Sequence, residues 1–158
     1  MAVSENDLSS LVYYFFRQYL PLHRGVSRNT IESYRETFKQ FLPWIFAAKS
    51  SQTVSVSEIK PIEILNFLKF LEEERSNTAR TRNARLAGIK SFFSMCYLKS
   101  AIDKRYLEAI QFIPMKKTNK PLIDFFDHDD VVRVLSAIDN NRISGVRDYL
   151  VLNLLYDT

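Results

Sequence analysis

Apolar residues recur at three- and four-residue spacing along the first half of the chain, which is the pattern of amphipathic helices. From Leu8 onward, this spacing predicts a first helix that Pro21 ends. A second helix is predicted after Ser27, whose hydroxyl suits an N-cap, and a third begins at Pro61, which suits a first helical turn. The pattern therefore indicates a bundle of helices joined by short connectors.

A fourth helix is predicted from the stretch TARTRNARLAGIKSFFSMC, with Thr78 as its cap. Its core-facing stripe is predicted to contain Leu86, Ile89, Phe93, Cys96 and Tyr97. Small residues fall roughly opposite that stripe on the helical wheel, namely Ala84, Ala87, Gly88 and Ser91. Such residues permit a close approach, either to another helix or to the sugar-phosphate backbone of a nucleic acid.

A short fifth helix is predicted at about Lys104 to Gln111, and the segment FIPMKKTNKPLI then breaks the helical pattern. Beyond that segment, Asp127 or Asp129 is positioned to cap a further helix. The final stretch, VRDYLVLNLLYDT, is apolar almost all round, as in a helix inside a core. Because too few residues surround it to bury it, residues 123–158 are expected to begin a second domain that is cut short.

Composition narrows the fold class and the compartment. Only three glycines and five prolines leave few tight turns, so the chain of 158 residues is predicted to be all-α. The polar start MAVSENDLSS and the lack of an apolar run of membrane-spanning length argue against export and membrane classes. The single cysteine, Cys96, excludes an internal disulfide and is expected to be a buried, unreactive thiol. The cytoplasm is therefore the expected location.

The distribution of charge is more informative than the net charge of +4. From residue 75 to residue 102 there is no acid, but there are six basic residues: Arg75, Arg80, Arg82, Arg85, Lys90 and Lys99. Cations at a helix start oppose the helix dipole, which is positive at the N-terminus. A phosphate facing that end would remove the conflict and would accept hydrogen bonds from the free backbone N–H groups. The segregation of charge therefore favours a nucleic-acid partner over simple solvation of the helix.

Two further elements could add to this positive face. The start of the second helix, SRNTIESYR, offers short polar groups that can bond phosphates or reach base edges. The predicted linker supplies three lysines, Lys116, Lys117 and Lys120. Together with the fourth helix, these elements could grip successive stretches of a duplex.

Competing chemistries have little support in the sequence. His23 and His128 have no cysteine at metal-ligand spacing, so no zinc site is expected. The acids of DHDD suit the start of a helix better than a magnesium site. No glycine-rich phosphate loop and no Ser/His/Asp or Cys/His arrangement occurs.

Four segments, taken in order, resemble the tyrosine recombinases, also called the phage integrase family. They are SRNTIESYRETFKQFLPWI, TARTRNARLAGIKSFF, IPMKKTNKP and VRDYLVLNLLYDT. The resemblance implies a core-binding domain over residues 1–112, built as a SAM-like bundle of four to five helices. It further implies a basic linker over 113–122 and the first helices of a truncated catalytic domain over 123–158.

The resemblance also implies what the chain binds. The partners would be double-stranded DNA, at a recombination site with inverted-repeat arms, and other recombinase protomers. The second and fourth helices would face the major groove, and we predict the following DNA-facing set: Arg28, Asn29, Thr30, Arg80, Thr81, Arg82, Asn83, Arg85 and Lys90, with the three linker lysines. Arg82 lies near the apolar stripe on the helical wheel, where its side chain could instead fold over the protein surface.

Catalysis is not expected from these residues alone. In the family, a segment like LLYDT precedes a Gly-x-Arg, a lysine, a His-x-x-Arg pair, a further His or Trp and the nucleophilic tyrosine, none of which occurs here. The complete family member breaks and rejoins DNA through a 3′-phosphotyrosyl bond and needs no metal or nucleotide cofactor. Two alternatives stay open: a natural stand-alone integrase fragment that binds DNA without cutting it, and a helical module whose arginines meet acidic proteins.

Overall fold

The computed structural model describes residues 7–51, 53–118 and 126–157, and the regular structure in these ranges is helical. One isolated antiparallel bridge joins Asp7 to Ser55. The chain forms two compact units, residues 1–118 and 119–158. The all-α prediction is therefore confirmed for the described residues.

The first unit contains five α-helices, and their bounds agree closely with the sequence pattern. They are α1 (Leu8–Tyr14), α2 (Arg28–Lys49), α3 (Pro61–Glu73), α4 (Ala79–Leu98) and α5 (Lys104–Gln111). Ser27 and Thr78 cap α2 and α4, as predicted, and Pro61 occupies the first turn of α3. The second unit contains α6 (His128–Ser136), which Asp127 caps, and α7 (Ile143–Asp157).

The predicted end of the first helix at Pro21 is wrong. After α1 the chain continues as a π-helix, Phe15–His23, which contains Pro21. The backbone N–H of Arg24 closes this segment on the carbonyl of Tyr19, five residues back, at 3.0 Å. Inside an α-helix a proline ring clashes with the carbonyl four residues back, whereas π winding pairs residues five apart and so changes that spacing.

Aromatic rings fill the centre of the first unit. The ring of Phe15 packs against those of Tyr34, Phe38 and Phe92, with centroids 5.5 to 6.3 Å apart. Edge-to-face and offset pairs of this kind add to the free energy gained by burial. The π-helix is thereby fixed against both α2 and α4.

The predicted core stripe of α4 is confirmed at four of its five positions and is wrong at Tyr97. Leu86, Ile89, Phe93 and Cys96 are fully buried, whereas Tyr97 is 39% exposed. Because α4 packs against α2, α3 and α5, its buried surface is wider than one stripe. That surface extends to Phe92 and Met95, and Tyr97 lies beyond its opposite edge, near the helix end.

Helix α4 crosses α2 at a glycine. A Cβ atom at Gly88 would lie 3.0 Å from Cδ1 of the Tyr34 ring, so only glycine accepts this approach without a shift. Near the crossing, Nη1 of Arg85 donates to the carbonyl of Ser33 at 2.9 Å and to Oγ1 of Thr37 at 3.4 Å. The close approach that the small residues predicted is therefore, at Gly88, an approach between two helices.

In the second unit, α7 keeps much of its apolar surface exposed. Leu150 is 61% exposed, and Gly145 is the buried residue of this helix. Asp127, rather than Asp129, caps α6, because its carboxylate accepts the backbone N–H of Asp130 at 2.8 Å.

Replacing Gly88 with valine should destabilise the first unit. The new side chain would overpack the Tyr34 ring, which costs about 1 to 3 kcal/mol in a packed contact. The measurement is the free energy of unfolding in urea. Ala84→Val, at an exposed position of the same helix, is the matched control and should cost no more than about 0.7 kcal/mol. Equal stability of the two variants would contradict the close crossing.

Replacing Arg85 with alanine should also lower the free energy of unfolding, by about 1 to 3 kcal/mol, because a charged hydrogen bond and a packed aliphatic stem are both lost. The matched control is Arg80→Ala, five residues earlier on α4, where the side chain is exposed. That change should stay within about 0.5 kcal/mol of the parent. The reverse order of the two variants would show that Arg85 does not join the helices.

Candidate nucleic-acid interface

The starts of α2 and α4 have the same construction. At α2, Ser27 Oγ accepts the backbone N–H of Thr30 at 3.2 Å and pairs with Thr30 Oγ1 at 3.0 Å. At α4, Thr78 Oγ1 accepts the backbone N–H of Thr81 at 3.2 Å and pairs with Thr81 Oγ1 at 3.1 Å. Each cap satisfies one of the free N–H groups of the first turn and leaves others available to a ligand.

Both helix starts are electropositive. Neither first turn contains an acid, and each contains an arginine, Arg28 in α2 and Arg80 in α4. Both arginines are exposed, and neither side chain bonds any described residue. Asn29, beside Arg28, is exposed as well. Each start therefore offers a guanidinium and backbone donors to an anion, at the positive end of a helix dipole.

Both helix starts lie close to the hydrogen bond that joins α2 and α4. Arg85 bonds the carbonyl of Ser33, and each of these residues lies five positions after the exposed arginine of its own helix. At 1.5 Å per residue, each arginine is about 7.5 Å along its axis from the shared bond. Each helix start therefore lies within about one and a half turns of the bond that joins the two helices.

Arg82 and Asn83, both in the predicted DNA-facing set, bind the chain's own backbone. Arg82 is 4% exposed, and its Nη1 donates to the carbonyl of Pro114 at 2.8 Å. Its Nε is buried and has no acceptor. Asn83 donates through Nδ2 to the carbonyl of Lys116 at 2.7 Å and accepts the Lys116 N–H at 2.9 Å.

The side chains of Arg85 and Lys90 also donate to backbone carbonyls of the chain. Arg85 spans to α2, and Lys90 Nζ donates to the carbonyls of Gln111 at 2.8 Å and Ile113 at 2.7 Å. Burial lowers the pKa of Lys90, and the positive charge of Arg82 lowers it further. Among the α4 cations of the predicted set, Arg80 alone has a side chain without a hydrogen bond or ion pair to a described residue.

The linker lysines also differ in their surroundings. Lys116 Nζ forms an ion pair with Glu72 at 2.8 Å, whereas Lys117 is exposed and bonds no described residue through its side chain. Lys120 lies outside the described residues. The linker therefore contributes one free cation within the part of the chain that the structure describes.

Sequence reasoning overlooked Arg24. This residue precedes the α2 cap by three positions, is exposed, and has no side-chain bond to a described residue. Gly25, which follows it, has φ +56°, a left-handed conformation that turns the chain into α2. The signal was present as the basic pair in HRG, immediately before a helix cap.

The described ranges contain no candidate metal site, no reactive thiol and no membrane-spanning helix. No cluster of three His, Cys, Asp or Glu side chains occurs there that could hold a metal ion. Burial raises the pKa of the Cys96 thiol, which is the opposite of what a nucleophile needs. His128 shares a hydrogen bond of 2.8 Å with the Tyr156 hydroxyl. None of the described helices is long and apolar enough to span a bilayer.

Comparison with known proteins identifies the family to which the chain belongs. Residues 13–99 match the family model of the phage integrase N-terminal SAM-like domain. A protein from Sinorhizobium fredii given the name integrase/recombinase y4rC is 32% identical over 154 residues, which are 96% of this chain and 46% of the relative. Tyrosine recombinase XerD of Listeria monocytogenes is 29% identical over 90% of this chain and 46% of its own length.

Tyrosine recombinase XerC of Herpetosiphon aurantiacus is 31% identical over 90% of this chain and 45% of the relative. The chain thus spans about half the length of the curated relatives it matches. No solved structure matches it significantly. The family model covers more than half of the chain and coincides with the helices that carry Arg28 and Arg80, so the chain belongs to the phage integrase family of tyrosine recombinases and contains its N-terminal SAM-like domain.

Proposed function

We propose that this chain is the DNA-binding N-terminal part of a site-specific tyrosine recombinase. Its first unit binds double-stranded DNA through the surface formed by the starts of α2 and α4. The observation that carries the proposal is the repeated construction of those starts: a hydroxyl cap, an unpaired exposed arginine and no acid. Phosphate oxygens are the ligands that such helix starts favour.

The contact surface contains fewer side chains than the charge pattern of the sequence indicates. We assign the contacts with DNA to Arg28, Asn29, Thr30, Arg80, Thr81 and Lys117, together with Arg24. The other described members of the predicted set form the framework that positions them, namely Arg82, Asn83, Arg85, Lys90 and Lys116, whereas Lys120 lies outside the described residues and is not assigned. This division follows from exposure and from the hydrogen bonds of each side chain, with two exceptions. Thr30 and Thr81 are half-buried with hydroxyls paired to the caps, and they are assigned because they lie in the two first turns.

The organisation of the complete protein belongs to the same proposal. Residues 1–112 form the core-binding domain, 113–122 a basic linker, and 123–158 the start of the catalytic domain. Strand breaking and rejoining through a covalent tyrosine would be the work of that catalytic domain, without a metal or nucleotide cofactor. Its partners would be the inverted-repeat arms of a recombination site and other protomers, in the cytoplasm.

The proposal predicts a salt-dependent affinity for duplex DNA that depends on Arg28 and Arg80. Each change to alanine should weaken binding by roughly three- to tenfold at low salt, because a phosphate loses a cation. Each should also reduce the slope of log affinity against log salt by about one. The measurement is fluorescence anisotropy with a labelled duplex, between roughly 50 and 200 mM salt.

Arg105→Ala is the matched control. Arg105 is exposed, and its side chain has no hydrogen bond or ion pair to a described residue. It lies on α5 and not at the start of α2 or α4. The end of α5, at Gln111, bonds Lys90 in the middle of α4. Its loss should leave both affinity and slope close to those of the parent. Binding to acidic peptides without binding to the duplex at low salt would reject the proposal and favour a protein-interaction module.

A further inference from the structure

Asn83 makes an unusual contact for a side chain on a DNA-facing helix. Its amide bonds both the N–H and the carbonyl of Lys116, at 2.9 and 2.7 Å, so both polar ends of the amide are occupied by one residue of the linker. An asparagine that reads an adenine edge needs the same two groups free. In this conformation Asn83 therefore cannot read a base.

The surrounding contacts hold the same part of the linker. Nη1 of Arg82 bonds the carbonyl of Pro114 at 2.8 Å, and Nζ of Lys116 pairs with Glu72 of α3 at 2.8 Å. Lys116 is therefore fixed through its backbone by α4 and through its side chain by α3. These three contacts fix where the linker, which follows α5, lies against α3 and α4.

The consequence concerns Lys117, the next residue. Asn83 and Arg80 are three positions apart on α4, so they share a helix face, with Cβ atoms about 5 to 6 Å apart. Lys117 directly follows Lys116, whose backbone Asn83 binds; we call the pair of bonds from Asn83 to Lys116 the clamp. Consecutive Cα atoms are about 3.8 Å apart. Lys117 is exposed, and its ammonium bonds no described residue. The clamp thus fixes a linker cation beside the face that carries Arg80.

We infer that Asn83 is a positioning residue that clamps the linker and so places Lys117 beside Arg80, where the two cations form a composite phosphate site. The inference rests on the proposed DNA-binding function and deepens it. Asn83 acts through Lys117 and does not contact DNA itself. Losing the clamp should therefore lower the affinity for every duplex sequence alike.

The clamp itself is tested without DNA. Trypsin is added to the 158-residue chain, and cleavage after Lys116 and Lys117 is followed by mass spectrometry. Asn83→Ala should be cut there several-fold faster than the parent, because the linker is released. Alanine favours the helix, so α4 should keep its circular dichroism signal. An unchanged cleavage rate would overturn the clamp, whatever the DNA result.

A double-mutant cycle tests the action through Lys117. With a labelled duplex at low salt, Asn83→Ala and Lys117→Ala should each weaken binding by roughly three- to tenfold and lower the salt slope by about one. The double variant should be no weaker than either single one, because both remove the same phosphate contact. Losses that add would mean that Asn83 contacts DNA itself and would overturn the inference.

Asn29 provides the matched control. It is the exposed asparagine in the first turn of α2, and its side chain bonds no described residue. The loss from Asn29→Ala should add to the loss from Lys117→Ala.

If the parent chain binds no duplex, the proposed function fails and this inference fails with it. If binding depends on Arg28 and Arg80 but not on Asn83, the inference alone is wrong.

Discussion

The close crossing of α4 over α2 is the contact on which the rest of the first unit depends. Gly88 carries no side chain, so the Tyr34 ring lies against the backbone of α4. This proximity lets Arg85 reach the carbonyl of Ser33. That bond lies near the beginning of both helices, so each of the exposed arginines, Arg28 and Arg80, lies about 7.5 Å along its helix axis from it. A packing constraint in the interior thereby shapes the charged surface.

The basic side chains of α4 differ in their exposure. Arg80 lies in the first turn and is exposed, whereas Arg82, Arg85 and Lys90 donate to backbone carbonyls of other segments. Cations removed from water are tolerated when they are hydrogen-bonded. Carbonyl oxygens serve here in place of carboxylates for the buried Arg82 and the half-buried Arg85 and Lys90, while Nε of both these arginines has no acceptor among the described residues. The basic stretch therefore has two roles: it offers charge to a ligand, and it fastens α2 and the linker to α4.

Sequence patterns predicted the helices well because hydroxyl and carboxylate caps, proline in a first turn and apolar spacing are local signals. Ser27, Thr78 and Asp127 act as the expected caps. The contacts that sequence patterns could not reveal are non-local. The acceptor of Arg82 belongs to Pro114, 32 residues away, and no spacing within α4 reveals it. Likewise, a count of basic residues cannot distinguish Arg80 from Arg85, because the difference lies in what the folded chain places opposite each one.

The most direct test of this account is a nuclear magnetic resonance titration of the 158-residue chain with a DNA duplex at low salt. The account predicts that backbone amide shifts change most at Arg28, Asn29, Ala79 and Arg80, whose helix-start N–H groups are not taken up by the caps and can meet phosphates. Amides near Arg105 on α5 should stay nearly unchanged. Changes centred on α5, with the starts of α2 and α4 unaffected, would contradict the assignment of the DNA-binding surface.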